Sequence, residues 1–299
     1  MSKVAVYTED LVVTPDSKIA LTNWANTITD PKYKQMLLDD LNNANFVSDI
    51  ATAGYDTIIV GLFHVHEKGE IFYNDFPVAN NYTYLPICDA IRALKTYPGS
   101  TVKTVLVSFG GGGGPPSVSD SDYPNIKANL ALFEKSLVEI LQYTKADGVD
   151  WDYEPYGDFD VNLIARLTGD FALKGYLVTA APYGDTGSWS AVLGGTANGP
   201  GLGNKFAWWN LQTYSPTGQY VDWINALKNV MSGMDYDALQ AFIVPGFWPQ
   251  NCNYNYVIDD LKSLRSDYPY LHGAFIWNYS AVKNCAPAVA AAIRDVFSS

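Results

Sequence analysis

Eight short apolar, β-branched runs, helical stretches in the gaps between them, and a length of 299 residues that allots about 37 to each pair predict an α/β chain closed as a single (β/α)8 barrel. Hydrophobic residues make up 48% of the chain and charged residues 17%, which suits one sizeable core and excludes a disordered chain. No linker, charge run or composition shift divides the sequence, so one domain over residues 1–299 is expected.

The runs, in order, are Lys3–Tyr7, Thr57–Phe63, Val102–Ser108, Gly148–Glu154, Tyr176–Pro182, Trp209–Tyr214, Ala241–Gly246 and Gly273–Tyr279. Nearly continuous apolar stretches of this length fit parallel strands buried on both faces. The clearest helix is Ile126–Thr144, where Leu130, Phe133, Leu137, Ile140 and Leu141 recur along one face. Others are expected near Lys32–Ala53, Ile87–Thr96, Val161–Leu173, Val221–Met231, Tyr254–Leu264 and Ala288–Phe297. The Gly-rich stretch Ser188–Gly195 predicts little more than a turn. An open doubly wound sheet is the competing fold, and its nucleotide fingerprint is missing. In a barrel of this kind chemistry sits at the C-terminal strand ends, which here carry Ser108, Asp152, Glu154, Tyr214 and Trp277.

Charge narrows the classes of partner. Nineteen Lys plus Arg against 31 Asp plus Glu give a net charge of −12, a poor match for nucleic acid or anionic lipid. No apolar run approaches the ~18–20 residues of a membrane span. The start, MSKVAVYTED, lacks the features of a signal peptide, which fits either a trimmed form or synthesis in the cytoplasm. A monomer is expected.

The most informative segment is Asp147-Gly-Val-Asp-Trp-Asp-Tyr-Glu154. Strand side chains alternate, so Asp150, Asp152 and Glu154 share one face, about 6.6 Å from one to the next, while Val149, Trp151 and Tyr153 share the other. The apolar set can pack against outer helices, which turns the acidic set into the barrel. Burial and mutual repulsion then raise some of the pKa values and hold a proton on the cluster, as a general acid requires. A divalent metal site is the bland reading, but no nearby His or second acidic loop completes one.

The segment resembles the D-x-x-D-x-D-x-E signature of glycoside hydrolase family 18, the chitinase-type family, at all four positions: Asp147, Asp150, Asp152 and Glu154. Ser108-Phe-Gly110-Gly111 resembles its S-x-G-G, and Tyr7, Thr179-Ala-Ala-Pro182, Gln212-Thr-Tyr214 and Trp277 fall on the matching strands. The Gln-x-Tyr form is similar to the compact plant, fungal and bacterial branch, which implies a barrel without an inserted α+β subdomain. The M-x-Y-D motif of the larger members is absent from strand six.

The resemblance implies an endo-acting, cofactor-free hydrolase of β-1,4-linked N-acetylglucosamine polymers, chitin above all, and a substrate-assisted retaining mechanism. Glu154 would be the acid and base. Asp152 would orient the 2-acetamido group, Tyr214 would hydrogen-bond its oxygen, and Asp150 would share a proton with Asp152. Trp277 would floor the reacting sugar, with a cis peptide at Trp277–Asn278. Gln212, Tyr7, Ser108, Gly110, Tyr183 and Trp248 are further expected substrate contacts, and Asp147 is structural. An endo-β-N-acetylglucosaminidase acting on N-glycan cores would share the motif. A chitin-binding lectin without turnover is a third reading, though loss usually strikes the terminal Glu and Glu154 is intact.

Weaker signals have bland readings. Gly110–Gly114 lacks the G-K-[ST] of a phosphate loop, and Pro115-Pro116 blocks a helix start, so a flexible cleft rim is expected. His64 and His66 predict a loop pair at the cleft edge rather than metal ligands. Tyr156 is a second aromatic candidate, while Trp24, Trp189 and Trp223 suit packing as well as binding, and Trp208-Trp209 suits core. Two glycosylation sequons, at Asn81 and Asn278, are short enough to arise by chance. Cys252 and Cys285 follow strands seven and eight on one face and are expected to pair, which would imply an oxidising compartment and export; Cys88 should be a buried thiol.

Overall fold

The structure is a computed structural model that describes residues 2–9, 11, 29, 31, 46–74, 76–80, 83–84, 86–112, 117–194, 205–215, 218–231 and 235–298. Eight parallel strands form the barrel: β1 (Lys3–Thr8), β2 (Thr57–Val65), β3 (Thr104–Gly110), β4 (Gly148–Asp152), β5 (Leu177–Ala180), β6 (Trp208–Leu211), β7 (Ile243–Phe247) and β8 (Gly273–Ile276). Each pairs with its sequence neighbour, and β1 pairs with both β2 and β8, so no edge is left open. Strands outside the barrel, among the described residues, are short: Ile71–Tyr73 and Phe76–Pro77 extend β2 as a hairpin, and Ala79–Asn80 pairs with Thr83–Tyr84. The fold is the expected barrel, with no α+β insertion among the described residues.

Side-chain alternation sorts the core into two layers. Ala5, Tyr7, Ile59, Leu106, Ala181, Trp208, Val244 and Phe275 fill the barrel interior. Gly246 makes room for them, since a Cβ there would lie 2.1 Å from the Phe275 ring. The opposite faces of the same strands, including Val149, Trp151 and Trp209, pack outward beneath the helices.

Among the described residues the helices are α1 (Val47–Thr52), α2 (Pro86–Leu94), α3 (Ser119–Ala128), α4 (Leu130–Thr144), α5 (Val161–Leu173), α6 (Thr186–Gly194), α7 (Tyr220–Val230), α8 (Tyr236–Phe242), α9 (Asn255–Asp267), α10 (Tyr279–Val282) and α11 (Ala286–Ser298). None is long and apolar enough to cross a membrane. Most of the helix expected at Lys32–Ala53, together with Trp24, Asn81 and Gly113–Pro116, lies outside the described residues.

Three local expectations are corrected. Ile126–Thr144 is two helices, broken at Asn129 (φ −121°), whose side-chain nitrogen bonds Glu67 O at 2.9 Å and Asn125 O at 3.0 Å in competition with helical geometry. Of Ser188–Gly195, the residues up to Gly194 are no turn but part of α6, and Gly195 lies outside the described residues: Asp185 accepts from the Gly187 N–H at 2.8 Å, and Trp189, Val192 and Leu193 bury one side. Strand seven starts at Ile243 rather than Ala241, because Asp235 caps α8 by accepting from the Ala238 N–H at 2.7 Å.

Candidate active site

The interior register brings a set of polar side chains to one level near the C-terminal end of the barrel. Asp150, fully buried on β4, stands opposite Ser108 on β3 and Thr179 on β5. Tyr7 Oη and Ser108 Oγ donate to its Oδ2 at 2.9 and 2.7 Å, and Thr179 Oγ1 and Asn210 Nδ2 donate to its Oδ1 at 2.6 and 3.1 Å. Burial pushes the Asp150 pKa up, and the four donors pull it back. A carboxylate at this point ties together donors from β1, β3, β5 and β6.

One layer up, Asp152 is the strand's last residue and is buried. Burial first, then the Glu154 charge and a hydrogen bond to Glu154, raise its pKa well above the ordinary carboxylate range. The Asp150 and Glu9 charges push the same way. The direction favours the protonated form of Asp152. Gln212 bridges the pair: its amide nitrogen lies 2.7 Å from Glu154 Oε1 and 3.2 Å from both Asp152 Oδ1 and Ala181 O. Two N–H protons face three acceptors, so the amide can favour either carboxyl. The Gln212 oxygen accepts from Tyr214 Oη at 3.2 Å. Burial, followed by the Asp152 and Glu154 charges, raises the Tyr214 pKa and keeps that phenol a donor at neutral pH.

The glycines after β3 let this cluster close up. Gly110 (φ +105°) lies where a Cβ would meet Asp152 O at 2.2 Å, and a Cβ at Gly112 would lie 2.5 Å from Glu154 Oε2. Backbone thus approaches the Asp152 carbonyl and the Glu154 carboxylate where any side chain would collide with them.

Aromatic rings surround the mouth. Trp277, partly buried at the end of β8, packs on Tyr7 with ring centroids 5.1 Å apart. Its peptide bond to Asn278 is cis, as the resemblance implies, and so is Gly61–Leu62. Trp248 after β7 is 46% exposed and meets the Tyr214 ring edge-on at 6.0 Å, on the wall of a cavity of about 710 Å³. Tyr183 and Tyr156 stand exposed in the loops after β5 and β4. Trp189 and Trp223 are buried in the outer core.

Several expected contacts have other partners. Tyr7 and Ser108, expected to touch substrate, are 1% and 0% exposed and spend their hydroxyls on Asp150. Gly110 is likewise sealed and serves close packing. Both Asp150 oxygens are engaged by donors from other strands, and Glu154 stands ahead of Asp150 among the groups that raise the Asp152 pKa. His64 is on β2, not in a loop, and its Nδ1 lies 2.9 Å from the buried Asp122; His66 stacks on Phe72. Among the described residues no group of three His, Cys, Asp or Glu side chains could hold a metal ion.

Asp147 sits at the foot of β4, where both its oxygens meet Lys95 Nζ at 2.8 and 3.0 Å and one accepts from the Val105 N–H. Cys252 and Cys285 form a disulfide. Cys88 is a buried thiol whose pKa burial raises to about 12.

Two residues escaped the sequence reading. Asn210 could have been found by parity, since it alternates with Trp208 and Gln212 on the inner face of β6. Glu9, just past β1, accepts from Asn278 Nδ2 at 2.7 Å and adds a fourth carboxylate to the mouth; no local pattern marks it.

Comparison with known proteins places this geometry. The description Glycosyl hydrolases family 18 matches residues 21–243. Among solved structures, a fungal endo-beta-N-acetylglucosaminidase of that family superposes with a TM-score of 0.61 at 20% identity, over 99% of each chain. A GH18 chitinase from Pseudoalteromonas aurantia gives 0.60 at 18%, over 99% of this chain and 100% of that one. The catalytic domain of a chitinase from the fern Peteris ryukyuensis gives 0.58 at 17%, over 99% of each. At these identities the likeness is one of fold. No curated protein matches the chain.

Proposed function

The chain belongs to glycosyl hydrolases family 18, and on that premise we propose that it hydrolyses β-1,4-linked N-acetylglucosamine polymers, chitin foremost, by substrate-assisted retention. The observation that carries the reading is the Asp152–Glu154 pair, bridged by the Gln212 amide at the open end of the barrel, with the Asp152 pKa raised by burial and by Glu154.

Glu154 reaches the rim, where it can protonate a glycosidic oxygen. As the C1–O bond breaks, the carbonyl oxygen of the substrate's 2-acetamido group attacks C1 from the opposite face and closes a cationic oxazolinium ring. Asp152, beneath, takes the acetamido N–H and stabilises its charge; Tyr214 offers its O–H to the acetamido oxygen. Glu154, now a carboxylate, removes a proton from water as it opens the ring at C1. Two inversions give net retention. Trp277 supplies a flat ring for the distorting sugar, and Trp248 and Tyr183 supply contacts along the cleft. Residues 1–299 act as one catalytic domain, as a monomer, with no cofactor.

An endo-β-N-acetylglucosaminidase acting on N-glycan cores uses the same acetamido group, and solved neighbours include enzymes titled both ways. A lectin reading is disfavoured by the intact Glu154.

The test is product analysis by proton NMR on chitin oligosaccharides, with a high-mannose glycoprotein in parallel. The β anomer should appear first, fully deacetylated chitosan should resist cleavage, and oxazoline mimics should inhibit. Initial release of the α anomer would overturn the mechanism; turnover of the glycoprotein alone would overturn the substrate.

A further inference from the structure

Glu154 lies beyond the end of β4, where the strand ladder no longer supplies its backbone with partners. Its N–H goes instead to a side chain, Ser119 Oγ on the first turn of α3, at 2.9 Å. Ser119 is completely buried. Its own proton has two acceptors, Gly111 O and Asp152 O, each at 3.1 Å, and a hydroxyl can serve only one at a time. Asp152 O also accepts from the Gly111 N–H at 2.7 Å, so the ends of β3 and β4 and the start of α3 are joined in one small ring.

The sequence around the ring is shaped to admit that hydroxyl. A Cβ on Gly110 would stand 3.0 Å from Ser119 Oγ, tighter than ordinary contact. The next residue holds the other flank of Glu154: Asp120 Oδ1 accepts from the N–H groups of Tyr156 and Gly157 at 3.0 and 3.3 Å, and its Oδ2 accepts from the Ser117 N–H at 2.9 Å. The Glu154 carboxyl then falls on Gln212 at 2.7 Å, with Gly112 leaving the space it occupies.

We propose that Ser119 is a positioning residue for the reaction, fixing through the Glu154 N–H the backbone that aims the Glu154 carboxyl at Asp152 and Gln212. The proposal rests on the reading of Glu154 as the acid. Ser119 touches no substrate; its effect is exerted on kcat through Glu154.

The test compares Ser119→Ala and Ser119→Cys with the wild type on a chitin oligosaccharide, with Glu154→Gln alongside. The Cys variant keeps the shape of the side chain but carries a larger atom that is a weaker acceptor. Both should fold by circular dichroism and keep the wild-type oligosaccharide affinity by calorimetry. Both should lose about 10–100-fold in kcat, the scale of a misplaced reacting group. The kcat–pH profile should move, because the Glu154 charge and its hydrogen bond help hold the proton on Asp152. Folded variants with wild-type kcat and an unmoved profile would overturn the proposal, as would failure of both to fold, which would make Ser119 purely structural. If Glu154→Gln itself turned over like the wild type, the catalytic reading would fall first; if only Glu154→Gln were inactive, the loss would be confined to the Ser119 proposal.

Discussion

Gln212 Nε2 lies 2.7 Å from Glu154 and 3.2 Å from Asp152, so a single amide touches both carboxyls at the barrel mouth. Substitution on either side of that contact should give a distinct signature.

Glu154→Gln keeps the size of the side chain and most of its hydrogen bonding but has no proton to give. Hydrolysis should fall by about 10²–10⁴-fold with oligosaccharide binding retained. Steady-state kinetics and titration calorimetry on one preparation check it; hydrolysis near the wild-type rate would remove Glu154 from the mechanism.

Asp152→Asn should trade activity for stability. The Asp152 pKa is raised in the folded state by burial and by Glu154, so the native protein favours the protonated form. The stability this group contributes is whole below its unfolded pKa and is lost as pH rises through the raised folded value. Asn mimics the neutral form and escapes that loss. The variant should therefore gain in Tm relative to wild type as pH is raised from acid to neutral, while kcat falls by about 10²-fold as the oxazolinium loses its counter-charge. Parallel melting curves with no pH-dependent divergence would contradict the assigned direction.

Asp150→Ala should be costly for stability. It leaves the donors of Tyr7, Ser108, Thr179 and Asn210 facing an empty centre. A loss of about 3–5 kcal/mol is expected by urea denaturation, with Asp150→Asn closer to wild type because one oxygen still accepts. Equal midpoints for wild type and Asp150→Ala would show that water replaces the carboxylate without penalty.

Trp277→Ala should fold yet lose both affinity and kcat, since a stacking contact of about 1 kcal/mol and the positioning it gives disappear together. The opposing result is a sharply lowered Tm with normal kcat and KM in the folded fraction. That would mean the ring only plugs the barrel beside Tyr7.

Cys252 and Cys285 close a loop between residues 33 apart in sequence. A double Ser variant should be less stable by about 3–4 kcal/mol on the chain-entropy account. Three titratable thiols under denaturing, non-reducing conditions would refute the bridge and, with it, the main argument for export.

The barrel was legible from sequence because its cause is local and repeated: an apolar run needs cover on both faces, and eight such runs alternating with helices leave few other arrangements. The acidic face of β4 was legible for the same reason, as a period of two needs no knowledge of neighbours. Element ends were less so. The break at Asn129 and the early helix before β7 depend on side-chain hydrogen bonds to Glu67 O and the Ala238 N–H, which compete with periodicity. Partnership within the site was decided only by closure of the sheet. Closure set Ser108, Thr179 and Asn210 around Asp150 and turned Tyr7 from a substrate contact into a donor to it. It also brought Ser119 to Glu154, across 35 residues of chain. Sequence determined the acidic face of β4; the register between strands, a nonlocal property, determined which side chains surround Asp150 and which reach Asp152 and Glu154.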